Sequence, residues 1–209
     1  MNKELERYIN EHSSPEDPLL AELYRETHIR FVNPNMSTGS MQGKLLEFIS
    51  GMINPGTILE IGTFTGYSAI CLAKGLRKGG KLYTIEINDE LSEFSRSYFI
   101  RAGFKDTIVQ LTGSAIKIIP SLNTTFDLAY IDGDKREYVD YYKVIIGKMK
   151  PGAFIIADNV LWGEKVLDAD TRDNQTRGII EFNEMIREQK NIEKVILPIR
   201  DGIMLIRVD

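Results

Sequence analysis

The stretch LEIGTFTGYS at residues 59–68 joins the end of an apolar strand to the start of a helix through a turn that contains two glycines. Glycines at such a turn let the backbone pass close to a bound ligand. A turn that binds a dinucleotide usually has three glycines in the spacing GxGxxG. Here only Gly62 and Gly66 are present, and an acid, Glu60, precedes them. The turn therefore predicts a ligand-binding strand–helix unit that lacks the usual cradle for a pyrophosphate.

Outward from this turn, strand and helix patterns alternate along the chain. Apolar runs bounded by turn residues predict strands at 57–61, 81–86, 107–111, 126–131 and 153–157, with helices at 66–78, 89–102, 115–119 and 135–149 between them. This alternation is typical of an α/β fold with a doubly wound, mostly parallel sheet. A last helix at 175–189 precedes strands at 193–198 and 202–208, and the tight turn at 200–202 predicts that one strand is antiparallel.

Helical periodicity also covers the N-terminal part of the chain, at residues 3–30 and 39–53, with a break expected near residues 13–15. No repeat, low-complexity tract or linker marks off a second domain. We therefore expect one domain over residues 1–209, in which a helical cap at 1–54 precedes the α/β core at 55–209.

The composition excludes several classes of protein. The net charge of −4 gives no sign of bulk affinity for nucleic acid. The single cysteine, Cys71, lies in an apolar run, so we expect a buried core thiol and no internal disulfide. His12 and His28 lie outside every motif and are expected to be surface or packing residues. The N-terminus shows no signal peptide and no apolar run approaches the ~20 residues of a membrane span, so we expect a cytoplasmic protein.

Two predicted strands end abruptly in oxygen-bearing side chains, in the stretches FDLAYIDGDK at 126–135 and GAFIIADN at 152–159. The carboxyl ends of neighbouring parallel strands face one crevice, so Asp132, Asp158 and Asn159 are expected to meet there. Carboxylate and amide oxygens suit Mg²⁺, Mn²⁺ or Ca²⁺. The sequence therefore predicts a divalent-metal site, although isolated aspartates at these positions would be no more than strand-end caps.

A second acid, Glu86, closes the second predicted strand twenty positions after Gly66, where a carboxylate usually takes ribose hydroxyls. Glu60 beside the glycine turn suits a ligand with an ammonium group better than a pyrophosphate. A ribose contact without a phosphate cradle favours S-adenosylmethionine (SAM) over NAD. The alternative is that both acids are only solvated strand ends.

With these residues in view, the chain resembles the cation-dependent class I O-methyltransferases of the catechol and caffeoyl-CoA type. The resemblance runs from about residue 36 to the C-terminus. It is carried by four stretches, which are LEIGTFTGYS at 59–68, DGDK at 132–135, ADNVLWG at 157–163 and LPIRDGI at 197–203. It implies a Rossmann-like sheet with N-terminal helices, a SAM cofactor, a divalent cation and a homodimer.

The resemblance also implies roles for single residues. Lys135 is the general base beside the metal, Glu86 binds the cofactor ribose, and Met36 covers the cofactor near its methyl group. The implied metal ligands are Asp132, Asp158 and Asn159. The implied cofactor contacts are Met36, Glu60, Gly62, Thr63, Ser68, Glu86, Ser114, Ala115 and Asp132.

The chain departs from the family pattern at two positions. Ser114 follows Gly113 where relatives often have an acid for the adenine amine. Ile180 stands where relatives that use acyl-CoA tend to carry an arginine, with Arg177 one turn earlier, which weakens the case for a CoA thioester.

These inferences predict methyl transfer to a small aromatic molecule with two adjacent hydroxyls. A phenol ionises near pH ~10, so a cation that chelates both oxygens stabilises the oxyanion that attacks the methyl group. No covalent enzyme intermediate is required. Trp162 is interpreted as either an aromatic wall for the substrate or a core residue, and Tyr138 is the tyrosine expected to face the site.

Other functions remain open at the level of sequence. Some bacterial relatives methylate a hydroxylated uridine in tRNA, which would need a basic docking surface. The residues available for such a surface are Lys143, Lys148, Lys150, Lys165, Arg172 and Arg177. An NAD-dependent oxidoreductase on the same fold is disfavoured by the missing GxGxxG, and a non-catalytic cofactor-binding protein by the presence of Lys135.

The first 40 residues precede the sheet, and their apolar side chains need a place of burial. We expect this segment to cover the site and to contribute to the homodimer. The side chains concerned include Leu5, Ile9, Leu19, Leu20 and Leu23.

Overall fold

In the computed structural model, which describes residues 3–168 and 170–209, seven strands form one sheet. They are β1 (Thr57–Ile61), β2 (Lys81–Glu86), β3 (Ile108–Thr112), β4 (Phe126–Ile131), β5 (Met149–Asp158), β6 (Ile192–Leu197) and β7 (Ile203–Val208). Their order in the sheet is β3-β2-β1-β4-β5-β7-β6. The neighbours among β1 to β5 pair in parallel, and β7 pairs antiparallel with β5 and β6. The predicted doubly wound sheet with one antiparallel C-terminal strand is confirmed.

Within the same residues, eight α-helices precede or connect the strands. They are α1 (Lys3–Glu11), α2 (Pro18–Arg30), α3 (Ser40–Ile53), α4 (Tyr67–Lys74), α5 (Ser92–Arg101), α6 (Ala115–Ser121), α7 (Tyr138–Ile146) and α8 (Asn174–Glu188). Short 3-10 helices lie at Pro34–Met36, Asp89–Leu91, Lys135–Glu137 and Trp162–Leu167. The break near residues 13–15 is confirmed, because α1 ends at Glu11 and α2 begins at Pro18, where Asp17 caps the Leu19 N–H.

Several element boundaries differ from the sequence prediction, among them the start of β5 and both ends of α7. β5 begins at Met149 rather than 153, because Met149 pairs with Phe126 before a register irregularity brings Phe154 opposite Leu128. The helix predicted over 135–149 begins as a 3-10 turn and ends at Ile146. Residues 147–148 form a turn, and Met149, the last residue that helical periodicity had assigned to that helix, belongs to the strand.

Apolar clusters pack against both faces of the sheet, since successive strand residues point to opposite sides. Leu59 lies in one cluster with Tyr138 and Phe182, and Ile58 lies in the other with Cys71. Cys71 is buried, and burial raises the pKa of its thiol, so it is the inert core residue that the sequence predicted.

The N-terminal helices only partly follow the expected burial. Leu20 and Leu23 of α2 are buried in the same cluster as α4, and Leu19 packs against it. Leu5 of α1 is 51% exposed in the single chain, so its burial in a homodimer stays a prediction. Among the described residues, neither cluster contains a side chain of α1. Non-helical residues 12–17 separate this short helix from α2.

The Thr27 hydroxyl of α2 donates to the Leu23 carbonyl and contacts the Thr65 hydroxyl at 3.0 Å, which ties α2 to the glycine turn after β1. No helix in the described part of the chain combines the length and the apolarity needed to cross a membrane.

Candidate active site

The register of the central strands brings the predicted metal ligands together. Ile131 of β4 pairs with Ala157 of β5, so the next residues, Asp132 and Asp158, stand side by side at the carboxyl edge of the sheet. The charge of Asp158 helps to raise the pKa of Asp132, as a like charge nearby does. Asn159 follows in a left-handed conformation with φ 58°, which asparagine tolerates better than most residues.

A cavity of about 960 Å³ opens at this edge of the sheet. Its volume lies near the top of the range for small-molecule sites, which leaves room for a cofactor and a second molecule. The predicted site residues that line it are Met36, Gly62, Thr63, Ser68, Glu86, Ser114, Ala115, Asp132, Lys135, Asp158 and Asn159. The strand ends and the turns that follow them therefore border one shared cavity.

The glycine turn after β1 shapes the floor of this cavity. Gly62 has φ 95°, and a Cβ at this position would overlap the backbone carbonyl of Asp132. The Asp132 N–H in turn donates to the Ile61 carbonyl at 2.9 Å. Glycine is required here because the turn passes directly against the strand end that carries a predicted metal ligand.

Glu86 at the end of β2 is held in a fixed orientation. The Phe64 N–H donates to its Oε2 at 2.8 Å and the Asn88 N–H donates to its Oε1 at 3.0 Å. Phe64 adopts φ 46°, an uncommon conformation that aims its N–H at the carboxylate. Since Glu86 is only 8% exposed and borders the cavity, its remaining lone pairs are available to a bound ligand.

Glu60 occupies a different position from the one expected of a direct ligand contact. It is fully buried and does not belong to the cavity lining among the described residues. The Thr84 hydroxyl donates to its Oε2 at 2.5 Å, while Oε1 accepts no hydrogen bond from those residues. Burial raises the pKa of Glu60 to about 8. The Thr84 hydroxyl opposes this rise, and so does the Ser68 hydroxyl, which lies near Glu60 without hydrogen-bond geometry.

Lys135 is buried beside the two carboxylates at the start of the 3-10 helix that precedes α7. Its Nζ donates to Asp132 Oδ1 at 2.8 Å and to the Tyr138 hydroxyl at 2.7 Å. That hydroxyl donates to the Asp158 carbonyl at 2.9 Å. Burial raises the pKa of Tyr138, so its hydroxyl stays protonated and holds the ammonium group in place. Tyr138 reaches the site through Lys135 rather than as part of the cavity wall that the structure describes.

The donor set at the strand ends fits a hard divalent cation. The pKa of Asp132 is raised to about 6, mainly by burial. The charge of Lys135 lowers this pKa and the neighbouring charge of Asp158 raises it. A bound cation would offset the repulsion between the two carboxylates, and the Asn159 amide adds a third oxygen. In the described ranges no three His, Cys, Asp or Glu side chains are grouped so that they could hold a metal ion, so a cation here would need the Asn159 amide beside the two carboxylates.

Several residues around the site were missed by the sequence analysis. Arg200, at the turn between β6 and β7, lines the cavity, and its charge acts on Asp132. Gln42 of α3 and Tyr130 of β4 are buried, and each donates a hydrogen bond to Asp158 Oδ2. Gln42 carried a usable signal, since it is a polar residue on the apolar face of a helix and such residues are buried only with hydrogen-bond partners.

The fold and the motifs agree with comparisons with known proteins. An O-methyltransferase family profile matches residues 10–208. The chain is 34% identical over 168 residues to a catechol O-methyltransferase from Niastella koreensis, covering 78% of this chain and 76% of the relative. It is 33% identical over 215 residues to a caffeoyl-CoA O-methyltransferase from Eucalyptus gunnii, covering 97% and 86% of the two chains.

Solved structures lead to the same family. The crystal structure of the O-methyltransferase TomG from Streptomyces achromogenes, involved in tomaymycin synthesis and in complex with SAM, superposes with a TM-score of 0.93 at 30% identity, covering 100% of this chain and 99% of TomG. An O-methyltransferase from Bacillus cereus in complex with SAH gives 0.92 at 29% identity, covering 98% and 97%. The chain therefore belongs to the O-methyltransferase family, and it is an enzyme that transfers methyl groups to oxygen.

Proposed function

We propose that this enzyme uses SAM and a divalent cation to methylate a small aromatic molecule that carries two adjacent hydroxyls. The observation that carries the proposal is the shared cavity, in which Glu86 stands at the end of β2 and Asp132, Asp158 and Lys135 stand at the ends of β4 and β5. A cofactor held at the first position and an acceptor held at the second would lie next to each other.

The residues of the chain have distinct tasks in this reaction. Asp132, Asp158 and Asn159 would hold the cation, whose positive charge would stabilise the deprotonated form of the acceptor. Lys135, as the neutral amine, accepts the proton from the acceptor hydroxyl through the lone pair of its Nζ, while Asp132 and Tyr138 hold that nitrogen in place. The resulting oxyanion attacks the methyl carbon of SAM in line, and the methyl–sulfur bonding pair leaves with the sulfur.

The walls of the cavity suit a planar acceptor. Trp162 borders it beside Asn159, and its ring centroid lies 5.9 Å from Lys135 Nζ. The segment before α3, residues 33–38, also contributes to the lining. Met36 in this segment is 60% exposed. These contacts support the role of Met36 as a cover for the cofactor. They also support the first of the two interpretations of Trp162, an aromatic wall, although its ring also packs against a core cluster.

The cofactor assignment is tested by calorimetry with SAM and with NAD. We expect SAM to bind and NAD not to bind, since Glu86 offers a fixed acceptor for ribose while the turn after β1 lacks a pyrophosphate cradle. Glu86→Ala should weaken SAM binding about 10–100-fold, because a hydrogen bond to a charged group contributes about 1.5–3 kcal/mol. Glu90→Ala, which removes an exposed acid four residues away, should leave the affinity unchanged. Tighter binding of NAD would refute the cofactor assignment.

The acceptor is tested with methyl-labelled SAM and Mg²⁺, offered together with either a panel of catechols or tRNA from a strain that lacks this gene. We expect label in one hydroxyl position of a catechol. The alternative acceptor, a hydroxylated uridine of tRNA, has weaker support, because Lys143 is paired with Asp140 and Lys150 with Asp127. Label in tRNA alone would overturn the proposed acceptor while leaving the methyltransferase activity intact.

We also propose that the enzyme is a homodimer that uses the outer face of α3. Met41, Phe48 and Met52 lie on one stripe of this helix and are 40%, 59% and 75% exposed. The stripe continues through Leu205 of β7 to Val195 of the edge strand β6, which pairs with Leu205. A continuous apolar surface of this kind is characteristic of a protein interface.

Light scattering at micromolar concentration tests this assembly. We expect a dimer for the natural chain and a monomer for Phe48→Asp/Met52→Asp, because two charges in the centre of the interface would be buried without partners. Ile100→Asp changes an exposed apolar residue of α5 outside the stripe and should remain dimeric. A monomeric natural chain would contradict the proposal.

A further inference from the structure

Asp158 is held from beneath by two side chains that do not face the cavity. Its Oδ2 accepts a hydrogen bond from the Tyr130 hydroxyl at 2.7 Å and a second one from Gln42 Nε2. Its Oδ1 accepts the Asn159 N–H at 2.7 Å. Gln42 is 2% exposed and Tyr130 is fully buried. These three donors fix the plane of the carboxylate and thus the direction of its remaining lone pairs.

The amide of Gln42 has two possible orientations, and Arg200 selects one of them. Arg200 Nη1 donates to Gln42 Oε1 at 2.9 Å and also to the Thr38 carbonyl. A guanidinium can only donate, so the amide oxygen must face Arg200 and the NH₂ group must face Asp158. In the opposite orientation, the amide oxygen would stand against the carboxylate and the NH₂ group against the guanidinium. Arg200 therefore turns Gln42 into a donor toward Asp158.

We propose that Gln42 is a positioning residue for the metal-binding carboxylate Asp158, and that Arg200 acts on this carboxylate through Gln42. The proposal rests on the proposed function, since it assumes a cation at Asp132, Asp158 and Asn159. The hydrogen bond couples the turn between β6 and β7 to the start of α3, two elements 158 residues apart in sequence. Groups that orient a metal ligand typically contribute 10–100-fold to metal affinity.

The experiment measures Mn²⁺ affinity of the full chain by electron paramagnetic resonance, in which free Mn²⁺ is counted directly without any turnover. Gln42→Met keeps the length of the side chain and removes its hydrogen bonds with Asp158, Tyr130 and Arg200, and we expect Mn²⁺ to bind about 10–100-fold more weakly. Gln110→Met is the matched control. Gln110 is also partly buried and donates to the Ser95 hydroxyl at 2.7 Å, but it lies on β3 outside the cavity, so Mn²⁺ affinity should not change.

A double-mutant cycle with Arg200→Met separates the proposed connection from a general loss of packing. Arg200 also acts on Asp132 through its charge, but this effect is present in both backgrounds and cancels in the cycle. We expect Arg200→Met to lower the Mn²⁺ affinity by a larger factor in the natural chain than in the Gln42→Met background, where the connection through Gln42 is already lost. Strictly additive effects would refute the connection.

The outcomes separate this inference from the proposed function. If the natural chain binds no Mn²⁺, the proposed metal site itself is wrong. If the natural chain binds Mn²⁺ and folded Gln42→Met binds it equally well, the positioning role is wrong. If Gln42→Met fails to fold, which its melting curve reveals, Tyr130→Phe takes its place in the cycle. This variant removes the other donor to Asp158 Oδ2 and leaves Gln42 as the remaining side-chain donor. Arg200→Met should then lower the Mn²⁺ affinity by a larger factor than it does in the natural chain. An equal factor in both backgrounds would refute the connection.

Discussion

Replacement of Lys135 by methionine should lower turnover about 10²–10⁴-fold, the usual contribution of a general base. The affinity for SAM should change little, because most of the proposed cofactor contacts lie at the ends of β1 to β3 and in the turns that follow. Methionine keeps the apolar stem of the buried side chain and removes only the ammonium group. The measurement is single-turnover methyl transfer to a catechol at saturating SAM and Mg²⁺, which isolates the chemical step from product release.

Lys117→Met provides the control for this prediction, since Lys117 is an exposed lysine of α6 away from the strand ends of β4 and β5. Its turnover should match that of the natural chain. An equal rate for Lys135→Met would mean that Lys135 has a structural role, in which it offsets the charge of Asp132 across a 2.8 Å ion pair. A melting curve distinguishes that role, because the loss of a buried partner would then destabilise the protein by several kcal/mol.

A variant that removes only the Tyr138 hydroxyl, Tyr138→Phe, helps to interpret the result. This hydroxyl connects Lys135 Nζ to the Asp158 carbonyl, with O–N and O–O distances of 2.7 and 2.9 Å. The same side chain therefore contacts both the proposed proton acceptor and the backbone of the proposed metal ligand Asp158. If Lys135 is the base, the position of its amine nitrogen sets the rate of proton transfer. Tyr138→Phe should therefore slow the same step as Lys135→Met, but by a smaller factor.

The strand ends were predictable from the sequence because the signal is local. An apolar run that stops at Asp132 or at Asp158 can be recognised within ten residues, and the parallel sheet then brings such ends to one edge. This rule needs no knowledge of the register. The structure supplies the register, in which Ile131 pairs with Ala157 and the two aspartates stand side by side. The site residues that came from these patterns all border one cavity, apart from Glu60.

Contacts between distant parts of the chain could not be predicted in this way. Gln42 meets Asp158 across 116 positions and Arg200 meets Gln42 across 158, and no local pattern encodes either contact. Glu60 shows the opposite limitation. Its place at the end of β1 was correct, but alternation along the strand turned its side chain into the interior, where it pairs with Thr84.

Removal of the cation, or of the charge at Asp158, should abolish most of the activity. Chelator should stop methyl transfer to a catechol, and Mg²⁺ or Mn²⁺ should restore it. Asp158→Asn should lower turnover by at least about 10²-fold at any metal concentration, because a cation that stabilises the oxyanion contributes several kcal/mol to the rate. Asparagine preserves the shape of the side chain, so the variant tests the charge of this ligand rather than its packing.

The structure also predicts how the Asp158→Asn protein should fold. The carboxylate now accepts hydrogen bonds from Gln42, Tyr130 and the Asn159 N–H, whereas an amide offers one accepting oxygen and two donors. The folded state should therefore lose stability by about 1–3 kcal/mol from a mismatched buried donor, which thermal unfolding can measure. Asp140→Asn changes an exposed aspartate of α7 that pairs with Lys143 and should alter neither activity nor stability. Full activity of Asp158→Asn in the presence of chelator would show that the reaction proceeds without a cation at these strand ends, and the role of Lys135 would then have to be sought in its ion pair with Asp132.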